Sequence, residues 1–239
     1  MSNLFNQLQA VILLKFIFAH LLSDFFLQPH SWVLDKEAKK IKSIKLLFHI
    51  LITFCAVWIF SRNLFVSLFI GFTHYGIDLW KVYTKSRNIK VFIIDQILHL
   101  IILIISWLYL INGFEQFLDL SKDIFADFKT WAILTVYLFC TFPLGIIIGL
   151  ATKKWRDEIE INKKDSLNEA GKWIGIFERM LILTFVINNQ YEAIGFLIAA
   201  KALLRFRESD LKLTEYVLIG TLISFTITIL LGIFVKMVL

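Results

Sequence analysis

Proline, cysteine and charge are all scarce in this chain. Its 239 residues include two prolines and two cysteines, and Asp, Glu, Lys and Arg together make up 18%. Since soluble domains average about 25% charged residues, this shortage excludes an ordinary soluble fold. Cys55 and Cys140 both fall inside apolar runs, which argues against a disulfide framework and a CxxC metal site. No basic residue precedes Lys15, so we expect the first apolar run to be retained rather than cleaved as a signal peptide.

Long apolar runs take the place of charge. Hydrophobic residues make up 58% of the chain, its mean hydropathy is +0.74, and the runs lack the alternation of β-barrel strands. The pattern predicts an all-α fold, a polytopic transmembrane helical bundle of about eight spans. The seventh run is short enough to be re-entrant. The predicted spans cover residues 4–28, 44–60, 64–82, 91–111, 131–150, 173–187, 193–206 and 216–238.

Basic residues are concentrated on one side of these predicted spans. The loops after spans one, three, five and seven hold 19 of the 25 lysines and arginines, whereas the opposite side holds four. Because cytoplasmic loops are rich in Lys and Arg, this asymmetry predicts both termini outside. The net charge of +6 comes mostly from these loops, which we expect to be attracted to anionic membrane lipids. It does not indicate a nucleic-acid partner. We expect one membrane domain, 1–239, made of a four-span half 1–112 and a second half 113–239.

Three pairs of histidine and aspartate lie within the apolar runs of the first half. In each pair the residues are four positions apart, so they share one face of a helix. The pairs are His20 with Asp24, His74 with Asp78, and Asp95 with His99. Ionisable residues inside a membrane are costly and are typical of functional sites. Each pair suits a metal site or proton handling, and the simpler alternative is a structural hydrogen bond between helices.

The reversed order of the third pair predicts that all three pairs meet at one depth. The fourth span runs opposite to the first and third, and each histidine lies about eight residues from a basic inner end, with a rise of about 1.5 Å per residue. We therefore expect one polar cluster near the cytoplasmic side. Histidine with carboxylate suits a divalent transition metal, Zn²⁺ first, better than Ca²⁺ or Mg²⁺. One metal ion or two would fit.

Several further polar residues are candidates for the same chemistry. His49 and Glu178 are candidate general bases, and His49 could instead be a fourth histidine ligand or an interfacial residue. Four basic residues are candidates for binding an anionic substrate: Lys81, Arg179, Lys201 and Arg205. The alternative for the last two is anchoring at the inner membrane boundary. The acidic run 119–127 is expected to be a solvated outer loop, and Lys15 is expected to face the bundle interior.

Several motifs together resemble a known family. They are Phe18-Ala-His20-Leu-Leu-Ser-Asp24-Phe-Phe-Leu-Gln28, His74-x3-Asp78-x2-Lys81, Asp95-Gln96-x2-His99, Gly171-x3-Gly175-x2-Glu178-Arg179 and Ala200-Lys201-x3-Arg205-Phe206. Over nearly the whole chain these residues resemble the bacterial membrane-protein family catalogued as domain of unknown function 3307. The resemblance implies a multi-pass protein of the bacterial inner membrane. It implies no activity, so a functional hypothesis rests on the residues themselves.

The residues lead to one principal hypothesis and two alternatives. The principal hypothesis is a membrane-embedded, metal-dependent hydrolase that acts at the cytoplasmic leaflet on an anionic lipid or a phosphate-bearing small molecule. A cation or proton-coupled transporter would use the same His/Asp residues as an ion relay. A non-catalytic membrane scaffold would use the long polar stretch 151–172 for a partner. No oligomeric state is predicted by these patterns.

Overall fold

The computed structural model describes residues 5–84, 88–158, 169–205 and 211–238, and their secondary structure is helical, which confirms the all-α prediction. The basic residues Lys85, Arg87, Lys163, Lys164 and Arg207 lie outside these ranges, and so does the side chain of Arg205. The helices are α1 (Gln7–Leu21), α2 (His30–Lys39), α3 (Ile44–Ser61), α4 (Leu64–Tyr83), α5 (Ile89–Ile111), α6 (Phe114–Ala126), α7 (Phe128–Cys140), α8 (Phe142–Ala151), α9 (Lys153–Asp157), α10 (Ala170–Ile187), α11 (Tyr191–Arg205) and α12 (Leu211–Val238).

Several of these helices are long and apolar enough to cross a membrane. Within the described ranges there are four, Gln7–Phe26, α3, α5 and α12, and a fifth if α7 and α8 form one span bent by 43°. These helices give the chain the character of a membrane protein. Helix α4 has sufficient length but is less apolar because it carries His74, Asp78 and Lys81. A total of eight crossings and the outside position of the termini stay predictions.

The chain divides into two compact units, residues 1–123 and 124–239. In the first unit, α1 and α4 each pack against both α3 and α5, so the four helices form a bundle. Helix α2 lies against α3 and α4. One half of the bundle is filled by a hydrophobic core: Phe16, Ala19, Val57, Val66, Ile70, Leu103, Trp107 and Leu108. Because apolar side chains fill this half, the polar residues of the same helices are confined to the other.

Short polar side chains fix where the bundle helices begin. Asn6 caps α1 and forms a reciprocal pair with Gln9, since each side chain bonds to the other's backbone N–H. Ser43, Asn63 and Asn88 accept from the third backbone N–H of α3, α4 and α5. Each such cap satisfies a backbone donor that the helix itself leaves free. The caps therefore set the register at which each helix presents its polar residues.

The second unit is built around the packing of α10 on α12, with α7 and α8 against both. Its core has two parts: Ile182, Val186, Ile194 and Phe225, and Cys140, Leu144 and Leu183. The predicted span 131–150 is interrupted at Thr141, and Pro143 lies in the first turn of α8. Arg179 donates to the carbonyls of Cys140 and Thr141 at 2.5 and 2.8 Å, so carbonyls freed by the break have a partner.

Two local expectations are wrong. The acidic stretch expected to be an outer loop is mostly helix α6, Phe114–Ala126. Its apolar residues recur at helical spacing, which is typical of an amphipathic helix. Lys15 was expected to face the bundle interior, but its side chain is exposed. A long lysine stem can run along apolar surface and carry its charge toward water, which removes the need for an internal partner.

Candidate functional site

Each of the four bundle helices brings polar side chains to one buried site, which we call the His/Asp cluster. Helix α1 and the turn after it supply two residues, α3 one, α4 two and α5 two. The cluster consists of His20, Asp24, His49, His74, Asp78, Asp95 and His99. The three predicted pairs are thus brought together, and His49 joins them. The aspartate precedes the histidine in α5, and this reversal is the feature from which a common layer was predicted.

His74 occupies the centre of the cluster. Its ring centroid lies 4.1 Å from that of His99, 5.1 Å from that of His49 and 5.7 Å from that of His20. The Nε2 atoms of His49 and His74 are 3.0 Å apart, so one of them donates to the other. The rings of His20 and His99 stack at 4.9 Å. Four imidazoles therefore form one continuous group within a single layer of the bundle.

Asp24 reaches this group because a π-helical turn follows α1. Residues Leu22–Phe26 form this turn, a rare geometry that is frequent at functional sites. The Oδ1 atom of Asp24 lies 3.3 Å from His74 Nε2, 3.5 Å from His20 Nδ1 and 3.6 Å from His49 Nε2. The hydroxyl of Ser23 donates to the same oxygen at 3.1 Å. One carboxylate oxygen thus faces three histidines.

The other two carboxylates are held by lysines. Lys36 Nζ lies 2.7 Å from Asp78 Oδ2, and Lys81 Nζ lies 2.5 Å from Asp95 Oδ2. Lys81 was predicted to bind substrate. The role of Lys36 was not predicted, because this residue lies in a basic stretch with four other lysines. Nothing in that stretch distinguishes the lysine that faces inward from the others.

Helix α2 places Lys36 beside Asp78 of the His/Asp cluster, and Asp35 fixes the position of this helix. The Asp35 carboxylate accepts from Ser43 Oγ, the cap of α3, at 2.6 Å and lies 2.5 Å from Lys39 Nζ. Hydrogen bonds from Lys39 and Ser43 lower the pKa of Asp35. The carboxylate therefore stays ionised near neutral pH and ties α2 to the start of α3.

The cluster is buried and carries an unbalanced charge. The four histidines and two of the aspartates, Asp78 and Asp95, are 0–6% exposed. With neutral imidazoles, three carboxylates and two lysines give a formal charge of −1. An unpaired charge in a medium of low polarity is strongly unfavourable. One additional positive charge, a shared proton or a metal cation, would restore the balance.

Several ring nitrogens of the cluster are free to bind a cation. Nδ1 of His99 donates to the backbone carbonyl of Asp95 at 2.9 Å, which leaves its Nε2 as an acceptor. That Nε2, Nδ1 of His20 and Nδ1 of His49 are buried without a hydrogen-bond partner among the described residues. Metal-bound histidines are usually oriented by such a bond from the opposite nitrogen. A cavity of about 10 Å³ lies against His20, His74 and His99, about the space of one water molecule.

Three groups of donor atoms in the cluster are close enough to share an ion. Within each group the atoms lie within 4.8 Å of one another. The groups are His20 with Asp24 and His74, His49 with His74 and Asp78, and Asp78 with Asp95 and His99. The second and third use carboxylates that a lysine already binds. The first group contains the one cluster carboxylate without a lysine partner in the described residues, so it is the best candidate for a metal centre.

The remaining predicted site residues belong to the second unit. Glu178 Oε2 lies 2.6 Å from Lys201 Nζ, so this carboxylate and this lysine bind each other. Arg179 is buried and bonds to the carbonyls at the break between α7 and α8. Arg205 ends α11, and its side chain lies outside the described residues. Glu178, Arg179 and Lys201 therefore have partners of their own within the second unit.

The cluster lies in a segment that matches a known family. Residues 12–124 match the family described as Protein of unknown function (DUF3307). The matched range spans 113 of the chain's 239 residues, a little under half. It contains all seven residues of the His/Asp cluster and both lysines that bind it, whereas the motifs at 171–206 lie outside the matched range. No curated protein and no solved structure shows a significant match to the chain.

Proposed function

We propose that this protein is a metal-dependent hydrolase embedded in the bacterial inner membrane. Its substrate would be an anionic lipid or another phosphate-bearing molecule at the cytoplasmic leaflet. The observation that carries the proposal is the buried His/Asp cluster, which combines unpartnered imidazole nitrogens with one excess negative charge. Imidazole and carboxylate donors together favour a transition metal, Zn²⁺ first.

The metal ion would be held by His20, Asp24 and His74. Asp24 supports this assignment because no lysine neutralises it in the described residues, and because Ser23 fixes its ligating oxygen. Three protein ligands would leave one position for water, as in catalytic zinc sites. A bound metal ion turns that water into a nucleophile near neutral pH. His49, whose Nε2 lies 3.6 Å from Asp24 Oδ1, would accept the proton.

The proposed membrane topology sets the side from which substrate arrives. With both termini outside and eight crossings, the positively charged loops face the cytoplasm. Lys36 lies in the first of those loops and Lys81 at the start of the second, so the cluster would open toward the inner leaflet. Lys81 is the more exposed of the two lysines, with 38% of its side chain accessible. It would receive the anionic group of the substrate beside Asp95.

Metal content is the direct test of the proposal. The purified full-length protein should contain about one Zn²⁺ per chain by elemental analysis, and Asp24→Asn and His74→Ala should each lose most of it, since they remove ligands. His30→Ala is the matched control, because His30 is exposed at the start of α2. Absence of a transition metal from the wild-type protein would refute the metal centre.

Hydrolysis is tested separately on the same preparations. Bis(p-nitrophenyl) phosphate and phosphatidylglycerol in mixed micelles serve as probes of phosphoester cleavage. Activity should disappear with a chelator, return with Zn²⁺ and be lost in His74→Ala but not in His30→Ala. A metal-loaded protein that cleaves neither probe, under conditions where a known phosphodiesterase does, would count against the hydrolase.

A cation or proton-coupled transporter is the second candidate. The observation that favours it is the enclosure of the cluster, whose cavity of about 10 Å³ accommodates an ion or a water but no lipid head group. In that case the imidazoles would pass a cation or proton along the layer. Metal or proton flux into proteoliposomes, abolished by His74→Ala and accompanied by no hydrolysis, would establish this function instead.

A further inference from the structure

The second unit contains a large cavity of its own. It has a volume of about 620 Å³ and lies among α8, α10, α11 and α12, with lining residues from all four helices. Cavities of roughly 300–1,000 Å³ are the usual size for small-molecule sites. Five glycines contribute to its wall: Gly145, Gly149, Gly171, Gly175 and Gly220. Because glycine has no side chain, the helices leave open space where ordinary residues would fill it.

Positive charge predominates among the residues that line this cavity. Lys172, Arg179 and Lys201 are cations, and Glu178 is an anion. Glu178 and Lys201 bind each other at 2.6 Å, and Lys172 Nζ lies 3.6 Å from the exposed Glu169, which does not line the cavity. Lys172 and Arg179 therefore remain as the excess positive charge of the lining itself. Lys172 lies in the first turn of α10, where the helix dipole adds to its attraction for an anion. The cavity is therefore suited to a negatively charged ligand.

Arg179 is held in a position that leaves one end of its guanidinium for a ligand. Its Nε and Nη2 atoms donate to backbone carbonyls, whereas Nη1 has no hydrogen bond to any described residue. A Cβ added at Gly175 would lie 3.1 Å from Nη1, and one added at Gly145 would lie 3.2 Å from Nη2. The two glycines thus make room for a buried guanidinium, which is 5% exposed. Such a preorganised group binds phosphate well.

Ser224 provides a second, independent indication of a polar ligand. It lines the same cavity from α12 and is 6% exposed. Its hydroxyl is buried and has no hydrogen-bond partner in the described part of the chain. Buried hydroxyls are nearly always bonded. A phosphate oxygen in the cavity would supply the missing partner.

The rest of the lining is apolar and suits a hydrocarbon chain. Phe142, Ile146 and Ile174 are large, and each is about half exposed or more despite lining the cavity. Such side chains pack against hydrocarbon through dispersion contacts. We propose that the second unit binds an anionic phospholipid, with its phosphate at Arg179, Lys172 and Ser224 and an acyl chain along the apolar wall. This site does not depend on the metal centre.

Binding of short-chain lipids to the full-length protein in detergent tests the proposal. Native mass spectrometry compares dioctanoyl phosphatidylglycerol, dioctanoyl phosphatidylcholine and inorganic phosphate. We expect phosphatidylglycerol to bind about tenfold more tightly than phosphatidylcholine, since the cavity carries excess positive charge. Lys172→Gln and Ser224→Ala should each weaken it by about three- to tenfold. These variants leave the bonds of Arg179 to the helix break intact, so folding is preserved.

Matched controls separate this site from the rest of the protein. Lys154→Gln removes an exposed positive charge in α9 that does not line the cavity, and it should leave lipid binding unchanged. His74→Ala should also bind the lipid normally, even where it has lost metal. Equal affinity for the two lipids, or no effect of Lys172→Gln and Ser224→Ala, would overturn the proposal. Tight binding of inorganic phosphate without binding of phosphatidylglycerol would overturn the assignment to lipid.

Discussion

The ion pair between Lys36 and Asp78 is one of the most buried charge pairs in the first unit. Its side chains are 5% and 3% exposed, and their charged atoms are 2.7 Å apart. Removing one partner of such a pair leaves the other charge buried alone, which costs roughly 3–5 kcal/mol. An exposed pair contributes roughly 0–1 kcal/mol, because water screens both charges. The two kinds of pair therefore respond very differently to the same substitution.

Lys36→Met should destabilise the protein by about 3 kcal/mol, since it isolates Asp78 in a buried site. Thermal or SDS unfolding in detergent micelles measures the loss. Lys39→Met is the control, because Lys39 is on the same helix but 62% exposed. The double variant Lys36→Met/Asp78→Asn should recover part of the stability. An unfolding midpoint of Lys36→Met equal to that of Lys39→Met would contradict the buried pair.

Ser23 is the residue whose loss should affect the proposed metal without removing a ligand. Its single hydroxyl hydrogen is shared between two acceptors, the backbone oxygen of His20 at 3.0 Å and Asp24 Oδ1 at 3.1 Å. Loss of a group that orients a metal ligand typically lowers metal affinity by about 10–100-fold. We expect that decrease in Ser23→Ala, measured by competition with a fluorescent chelator.

Ser106→Ala is the matched control for this substitution. Ser106 is also a buried serine of the first unit, and its hydroxyl has no partner among the described residues. The Ser106→Ala protein should bind metal with wild-type affinity. A decrease of equal size in both variants would mean that the effect reflects general loosening of the bundle, and not the orientation of Asp24.

At the level of elements, small residues decide how closely the helices of the second unit can pack. Gly232 of α12 lies against α10, where an added Cβ would be 2.7 Å from Val186 Cγ1 and 2.9 Å from its Cβ. Such distances force a shift of one helix. Gly195 of α11 has no atom within 4 Å of the same position. Substitution of each glycine by alanine therefore separates the cost of a steric clash, at Gly232, from the gain in helix propensity, at Gly195.

Gly232→Ala should lower stability by about 1–3 kcal/mol, the usual cost of overpacking a tight contact. Gly195→Ala should raise it by roughly 0.5–1 kcal/mol, since alanine favours the helix over glycine. Unfolding of both variants in the same detergent provides the comparison. A Gly232→Ala variant more stable than the wild type would contradict the tight contact between α10 and α12.

The sequence was most informative where physical constraints are strong. Long apolar runs predicted most of the major helices, and the i, i+4 spacing with its reversal in α5 predicted that His20, His74 and His99 meet. Helix α6 was missed because its acidic residues suggested a solvated loop, although Phe114, Phe117 and Leu118 share one face. The role of Lys36 could not be predicted, since only the fold of α2 separates it from neighbouring lysines. Asp24 was predicted as a site residue from its spacing to His20, but the π-helical turn that positions its carboxylate has no signal in the composition.

At the scale of the whole molecule, the central question is whether α4 crosses the membrane. Its neighbours α3 and α5 are apolar enough to span, and only residues 62–63 separate α3 from α4. A two-residue link requires α4 to start on the side where α3 ends. Since α4 also packs along both neighbours, we expect it to cross despite its three charged or ionisable residues, which face the cluster or its edge and not lipid.

Labelling of single cysteines with a membrane-impermeant maleimide tests this topology. In a background with Cys55 and Cys140 replaced by alanine, Arg62→Cys should react in intact cells, because its turn is predicted to be outside. Lys39→Cys and Lys90→Cys, on either side of that turn, should react only after permeabilisation, because cytoplasmic segments carry the excess of basic residues. If Lys90→Cys reacted in intact cells while Lys39→Cys did not, α4 would not cross. The His/Asp cluster would then be unable to lie in one membrane layer.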